Sequence, residues 1–76
     1  MRYRAGAWML TPREHKTVQL LLMGFENKQI AALMGNSVQV TKNRLSRMYK
    51  VLGVHSRAEL HEFVSARPQL AERFHP

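Results

Sequence analysis

The chain has 76 residues, a length that fits one domain and still exposes roughly 40% of its unfolded surface when folded, which excludes a large two-domain enzyme. Hydrophobic residues make up 45% and charged residues 22%, the balance of a globular domain rather than a disordered chain; the lack of cysteine removes disulfides, thiolate zinc sites and cysteine nucleophiles. Twelve Lys and Arg against five Glu, with no Asp, leave a net charge of +7, which points to a polyanionic partner, nucleic acid ahead of an anionic membrane surface.

Residues 1–10 form an arm whose apolar stretch Ala7-Trp8-Met9-Leu10 is cut off by Thr11-Pro12, too soon for a signal-peptide core. Trp8, Met9 and Leu10 are expected to fold back on the first helix as a hydrophobic staple, while Arg2 and Arg4 read equally as DNA contacts or as a disordered tail. The first helix is expected to start with Thr11 as N-cap, Pro12 at the first helical position and Glu14 completing a capping box. It buries Val18, Leu21 and Leu22 and stops at Gly24. No apolar run, Leu20-Leu21-Leu22-Met23 before Gly24 included, approaches the roughly 18 residues of a membrane span, so the chain reads as cytoplasmic.

A short second helix is predicted from Asn27, as cap, to Met34, burying Ile30, Ala31 and Met34 or Leu33 and ending at Gly35. Ser37 caps a third helix that runs to about Leu52, where Gly53 supplies a left-handed end. At about 100° per residue, Thr41, Leu45, Met48 and Leu52 fall on one stripe. Lys42, Asn43, Ser46, Arg47 and Lys50 fall on the other face. A second capping box, Ser56 with Glu59, opens a fourth helix that buries Leu60, Phe63 and Val64 until Arg67-Pro68 breaks it. Residues 68–76 are a C-terminal tail that either adds one turn through Leu70 and Phe74 or frays. With strand signals nearly absent, the chain reads as all-α, with one domain over residues 11–67.

Between Asn27 and Ala58 stand six basic residues, Lys28, Lys42, Arg44, Arg47, Lys50 and Arg57, and no acidic one. A short helix, a tight turn through Gly35-Asn36 and a longer helix with a basic outer face suit major-groove reading, the first helix bracing on the backbone while the second presents side chains to base edges. His15, His55, His61 and His75 show neither metal-ligand spacing nor a partner nucleophile, so they read as surface polar groups and no enzyme or cofactor is indicated. The five Met read as core filler.

Leu10-Thr11-Pro12-Arg13-Glu14, Gly24 with Asn27-Lys28-Gln29-Ile30-Ala31, Ser37, Lys42-Asn43, Leu45-Ser46 and Leu52-Gly53-Val54, and Ser56-Arg57-Ala58-Glu59-Leu60 resemble the LuxR/FixJ/GerE-type helix-turn-helix domain of bacterial transcription regulators. The resemblance covers Leu10 to about Ala66 and implies a four-helix domain that binds double-stranded DNA with its third helix in the major groove. It implies base reading by Lys42, Asn43, Ser46 and Arg47, and phosphate contacts by Lys28, Gln29, Thr41, Arg44 and Lys50. The fourth helix commonly forms the dimer contact in such regulators, and here its outer side carries Ala58, His61, Glu62 and Ser65. Only ten residues precede Thr11, so the chain reads either as a free-standing GerE-like member or as the C-terminal domain of a longer regulator.

The chain also departs from the family pattern. Glu26 stands where Ser or Thr usually precedes the second helix, Val40-Thr41 reverses the usual Thr-Val, Arg44 replaces a usual histidine, and Asn36 replaces a common apolar residue in the turn. Glu26 and Val40-Thr41 support an alternative function: an interaction module that binds and inhibits a larger LuxR-type regulator through its fourth helix.

Overall fold

The computed structural model describes residues 10–75, so the expected packing of Trp8 and Met9 and the expectations for Arg2 and Arg4 lie outside the described residues. Five helices follow one another: α1 (Pro12–Leu22), α2 (Asn27–Met34), α3 (Val38–Leu52), α4 (Arg57–Ser65) and α5 (Pro68–Arg73). Among the described residues there is no strand, and no helix is long and apolar enough to cross a membrane.

The capping chemistry accounts for most of these boundaries. Thr11 Oγ1 accepts from the Glu14 N–H at 3.1 Å, and Glu14 Oε1 accepts from the Thr11 N–H at 3.0 Å. Two of the orphan donors at the start of α1 are thereby satisfied by each other's residue. At α2 the cap is Glu26 and not Asn27, which is the first helical residue; Gln29 Oε1 reaches back to the Glu26 N–H at 2.9 Å. Ser37 and Ser56 cap α3 and α4 through the N–H groups of Val40 and Glu59, each at 3.1 Å. The expected box at Ser56 is only half formed, because the Glu59 carboxylate turns to the His55 N–H at 2.8 Å. Gly35 at φ 72° and Gly53 at φ 77° end α2 and α3 in the left-handed region, where a Cβ would strain the backbone.

One apolar cluster joins all five helices: Val18, Leu20 and Leu21 from α1, Ile30 from α2, Leu45, Met48 and Leu52 from α3, Leu60 and Val64 from α4, and Leu70 from α5, together with Val54 and Phe74 from the connecting and terminal segments. Leu10 packs against its edge, as do Leu22, Met34 and Phe63. Leu33, one of the two alternatives for the inner face of α2, is 60% exposed.

The tail is part of this fold. Pro68 starts α5, since proline needs no amide partner at a first helical position; the helix buries Leu70 to 3% exposure, and Phe74, its C-cap, is buried to 5%. The Phe74 ring stacks on His15 of α1 with centroids 4.7 Å apart, and Gln19 Nε2 donates to the His75 carbonyl at 3.2 Å. Packing of α5 on α4, with Phe74 and His75 anchored on α1 just beyond its end, supplies the partner surface that six helical residues could not supply for themselves.

Candidate nucleic-acid interface

The turn between α2 and α3 is built from backbone hydrogen bonds: the N–H groups of Gly35 and Asn36 donate to the carbonyls of Ala32 and Ala31 at 3.3 and 2.9 Å. With the Ser37 cap next in sequence, this fixes how α3 leaves α2. The inner stripe of α3, Thr41, Leu45, Met48 and Leu52, is buried as the spacing predicts. Its opposite side is solvent-facing, where Gln39, Asn43, Ser46 and Lys50 line up at helical spacing.

Lys42, Asn43, Ser46 and Arg47 are all exposed. Two of them have partners. Gln39 Nε2 donates to Asn43 Oδ1 at 3.0 Å across one turn, and the Arg47 guanidinium donates to Glu14 Oε2 of α1. Glu14 is 7% exposed whereas the Arg47 side chain is 60% exposed. The pair therefore links α1 to the rim of the exposed face of α3, with the carboxylate on the inside.

Of the expected phosphate contacts, Lys28, Gln29 and Lys50 are exposed and Arg44 is half-buried. Thr41 is corrected by the structure: it is 1% exposed, and its hydroxyl has no hydrogen-bond partner among the described residues. In the order Val40-Thr41 the threonine falls in the core stripe and Val40 is 43% exposed. The side-chain nitrogen of Asn36 is likewise buried without a partner among the described residues.

On α4, Ala58, Glu62 and Ser65 are exposed, while His61 is half-buried. His61 lines a cleft with Gly24, Glu26, Asn27, Lys28 and Arg57, so it faces the start of α2 as well as solvent. His55 Nδ1 lies 3.2 Å from Glu59 Oε1. The His55 backbone N–H, and then its ring, hold the Glu59 carboxyl below its ordinary value.

Sequence reasoning missed two roles. Arg57 belongs to the basic stretch, yet its guanidinium donates to the carbonyls of Phe25 and Leu21 at 2.9 and 3.4 Å and to Asn27 Oδ1 at 3.3 Å. It ties α4 to the end of α1 and the start of α2, a fork geometry that suits Arg and not Lys. Burial pushes the Tyr49 phenol up, an effect partly offset by the charge of Arg57. Gln39 was the other omission. It carries no charge, and its only sequence signal is the four-residue spacing to Asn43.

Comparison with known proteins agrees with this arrangement. Residues 9–64 match the family of bacterial regulatory proteins, luxR family. The response regulator Rre1 of Synechocystis sp. is 40% identical over 53 residues, covering 70% of this chain and 23% of that protein. A protein described as an HTH-type transcriptional regulator in the exeN 3′ region of Aeromonas salmonicida is 40% identical over 55 residues, covering 72% of this chain and 28% of its own length. The chain thus spans about a quarter of the length of the relatives it matches. No solved structure matches.

Proposed function

Because the chain belongs to the luxR family of bacterial regulatory proteins, we propose that it is a sequence-specific double-stranded DNA-binding module of a cytoplasmic transcription regulator, with α3 in the major groove. The observation that carries this reading is the division of α3: a fully occupied inner stripe against the core, and an outer face of amides, hydroxyl and cations that no other described element covers. A helix so anchored can enter a groove as a rigid body.

Lys42 donates to guanine O6 or N7, and Ser46 and Asn43 meet neighbouring edges. Arg47 joins them by exchanging the Glu14 carboxylate for DNA. Lys28, Gln29, Arg44 and Lys50 hold backbone phosphates. Two copies paired through the outer side of α4, at Ala58, His61, Glu62 and Ser65, set their third helices about 34 Å apart on successive major-groove turns, and the operator is then an imperfect palindrome.

Titration with mixed genomic duplex across a range of salt tests the DNA-binding reading. Lys28→Ala and Lys50→Ala should each weaken all sequences about equally and reduce the slope of log affinity against log salt by about 0.9. Failure to shift duplex at low salt would favour the interaction module instead. Sedimentation of Ser65→Glu, which adds a charge beside Glu62, tests the dimer: loss of self-association supports the α4 contact, and persistence removes it.

A further inference from the structure

Gln39 and Asn43 stand one turn apart on the solvent side of α3, in line with Ser46 and Lys50, and Gln39 Nε2 donates to Asn43 Oδ1 at 3.0 Å. We propose that Gln39, and not Asn43, is the residue that reads adenine, with Asn43 as its positioning residue; the proposal rests on the DNA-binding reading above.

Donors and acceptors distinguish the two amides. A primary amide reads adenine by accepting from the N6 amino group with its oxygen and donating to N7 from its nitrogen. The oxygen of Asn43 already accepts from Gln39, along the helix surface. Pairing bidentately with adenine would take the one lone pair that Asn43 Oδ1 has left, on an amide already oriented by Gln39, whereas both lone pairs of the Gln39 oxygen are open. Gln39 spends one of its two N–H groups on Asn43 and keeps its oxygen and the second N–H, the acceptor and donor that adenine requires. Asn43 retains both N–H groups, which suit an acceptor-only edge such as thymine O4 or guanine O6 at a neighbouring pair.

Position favours the same assignment. Gln39 is the second residue of α3, and the N-terminal residues of a recognition helix are those that approach base edges. The hydrogen bond to Asn43 also orders the long Gln39 side chain before DNA arrives, which reduces the ordering penalty that a free rotamer-rich side chain incurs on binding. Lys42, three residues from Gln39, sits about 60° round α3 toward its flank.

Selection of bound sequences from a random duplex pool, carried out with the whole chain and its variants, tests this. Circular dichroism controls for folding; Gln39 and Asn43 are both exposed, so native helix content is expected throughout. The wild-type consensus should contain adenine. In Gln39→Ala that single position should flatten, its discrimination falling roughly 5- to 150-fold, the equivalent of one bidentate contact at about 1 to 3 kcal/mol. Gln39→Glu, a pure acceptor, should turn the same position to cytosine, whose N4 amino group donates. Asn43→Asp keeps an acceptor for Gln39 Nε2 and should retain the adenine, whereas Asn43→Ala should blur it. An unchanged consensus in both Gln39 variants, or adenine lost in Asn43→Ala while retained in Gln39→Ala, would overturn the assignment alone. A wild-type chain that selects no sequence at all would remove the DNA-binding reading beneath it.

Discussion

From Asn27 to Ala58 the chain holds six basic side chains and no acidic one, whereas from Glu59 onward three Glu stand against two Arg. Both regions nevertheless feed the same apolar cluster, Ile30, Leu45, Met48 and Leu52 from the first, and Leu60, Val64, Leu70 and Phe74 from the second. The charge excess therefore does not follow from what the core needs. Self-repulsion among like charges opposes folding, and a chain that concentrates them on one side tolerates that cost where a polyanion can offset it. The nearly neutral α4–α5 region is the brace, and the α2–α3 region is the part that is presented.

If brace and reader are one cooperative unit, damage to the brace must melt the reader. Leu60 is fully buried, and Leu60→Ala should lower unfolding stability by about 2 to 5 kcal/mol, measured by urea denaturation. Amide exchange in α3 should accelerate with it; retention of α3 protection would show two separable units.

A smaller loss is expected at the clamp between the regions. Arg57→Ala leaves the Leu21 and Phe25 carbonyls and the Asn27 amide without their donor, a cost of about 1 to 3 kcal/mol by denaturation. Arg57→Lys should recover only part of it, because an ammonium cannot span three acceptors as a planar fork does.

Glu14→Gln probes the other junction, between α1 and the rim of α3. Arg47 is largely exposed, so solvent screening limits the ion pair to about 0.2 to 1 kcal/mol of stability. Duplex affinity should change in the opposite sense, rising as Arg47 is released, and an affinity that falls would mean that Glu14 holds Arg47 in its binding pose.

The smallest effect belongs to the exposed Glu59–His55 pair. Hydrogen bonding to the carboxylate lowers the folded Glu59 value below its ordinary 4.5, so its stabilising contribution is present above that value and is lost as pH falls through the lowered one. A carbon-detected titration of the Glu59 carboxyl should show the depressed midpoint, and His55→Ala, which removes the ring but keeps the backbone N–H, should move that midpoint only part of the way back up.

Much of this was readable without coordinates. Thr11-Pro12 with Glu14, Ser37, Gly35 and Gly53 mark helix ends by local chemistry, since a cap depends on side chains within three or four residues of the backbone it serves. The inner stripe of α3 follows from the helical period alone. Thr41 shows where such reasoning fails when two criteria conflict: its periodicity placed it inside while resemblance gave it a phosphate, and the structure sides with periodicity. Among the outward residues, charge drew attention to Lys42 and Arg47, while the neutral Gln39 passed unnoticed beside them.

Fold class, helix limits and the polarity of α3 were thus determined by the sequence, because each depends on contacts within a turn or two of the chain. What Arg47 and Arg57 touch, and whether the tail folds, were decided only in three dimensions. Glu14 and Arg47 lie 33 residues apart, Arg57 and Phe25 32, and Gln19 and His75 56. No local pattern distinguishes an arginine that reaches solvent from one that meets a buried carboxylate or a helix-end carbonyl, and the six residues of α5 are held in place by α4 and by the contacts of Phe74 and His75 with α1.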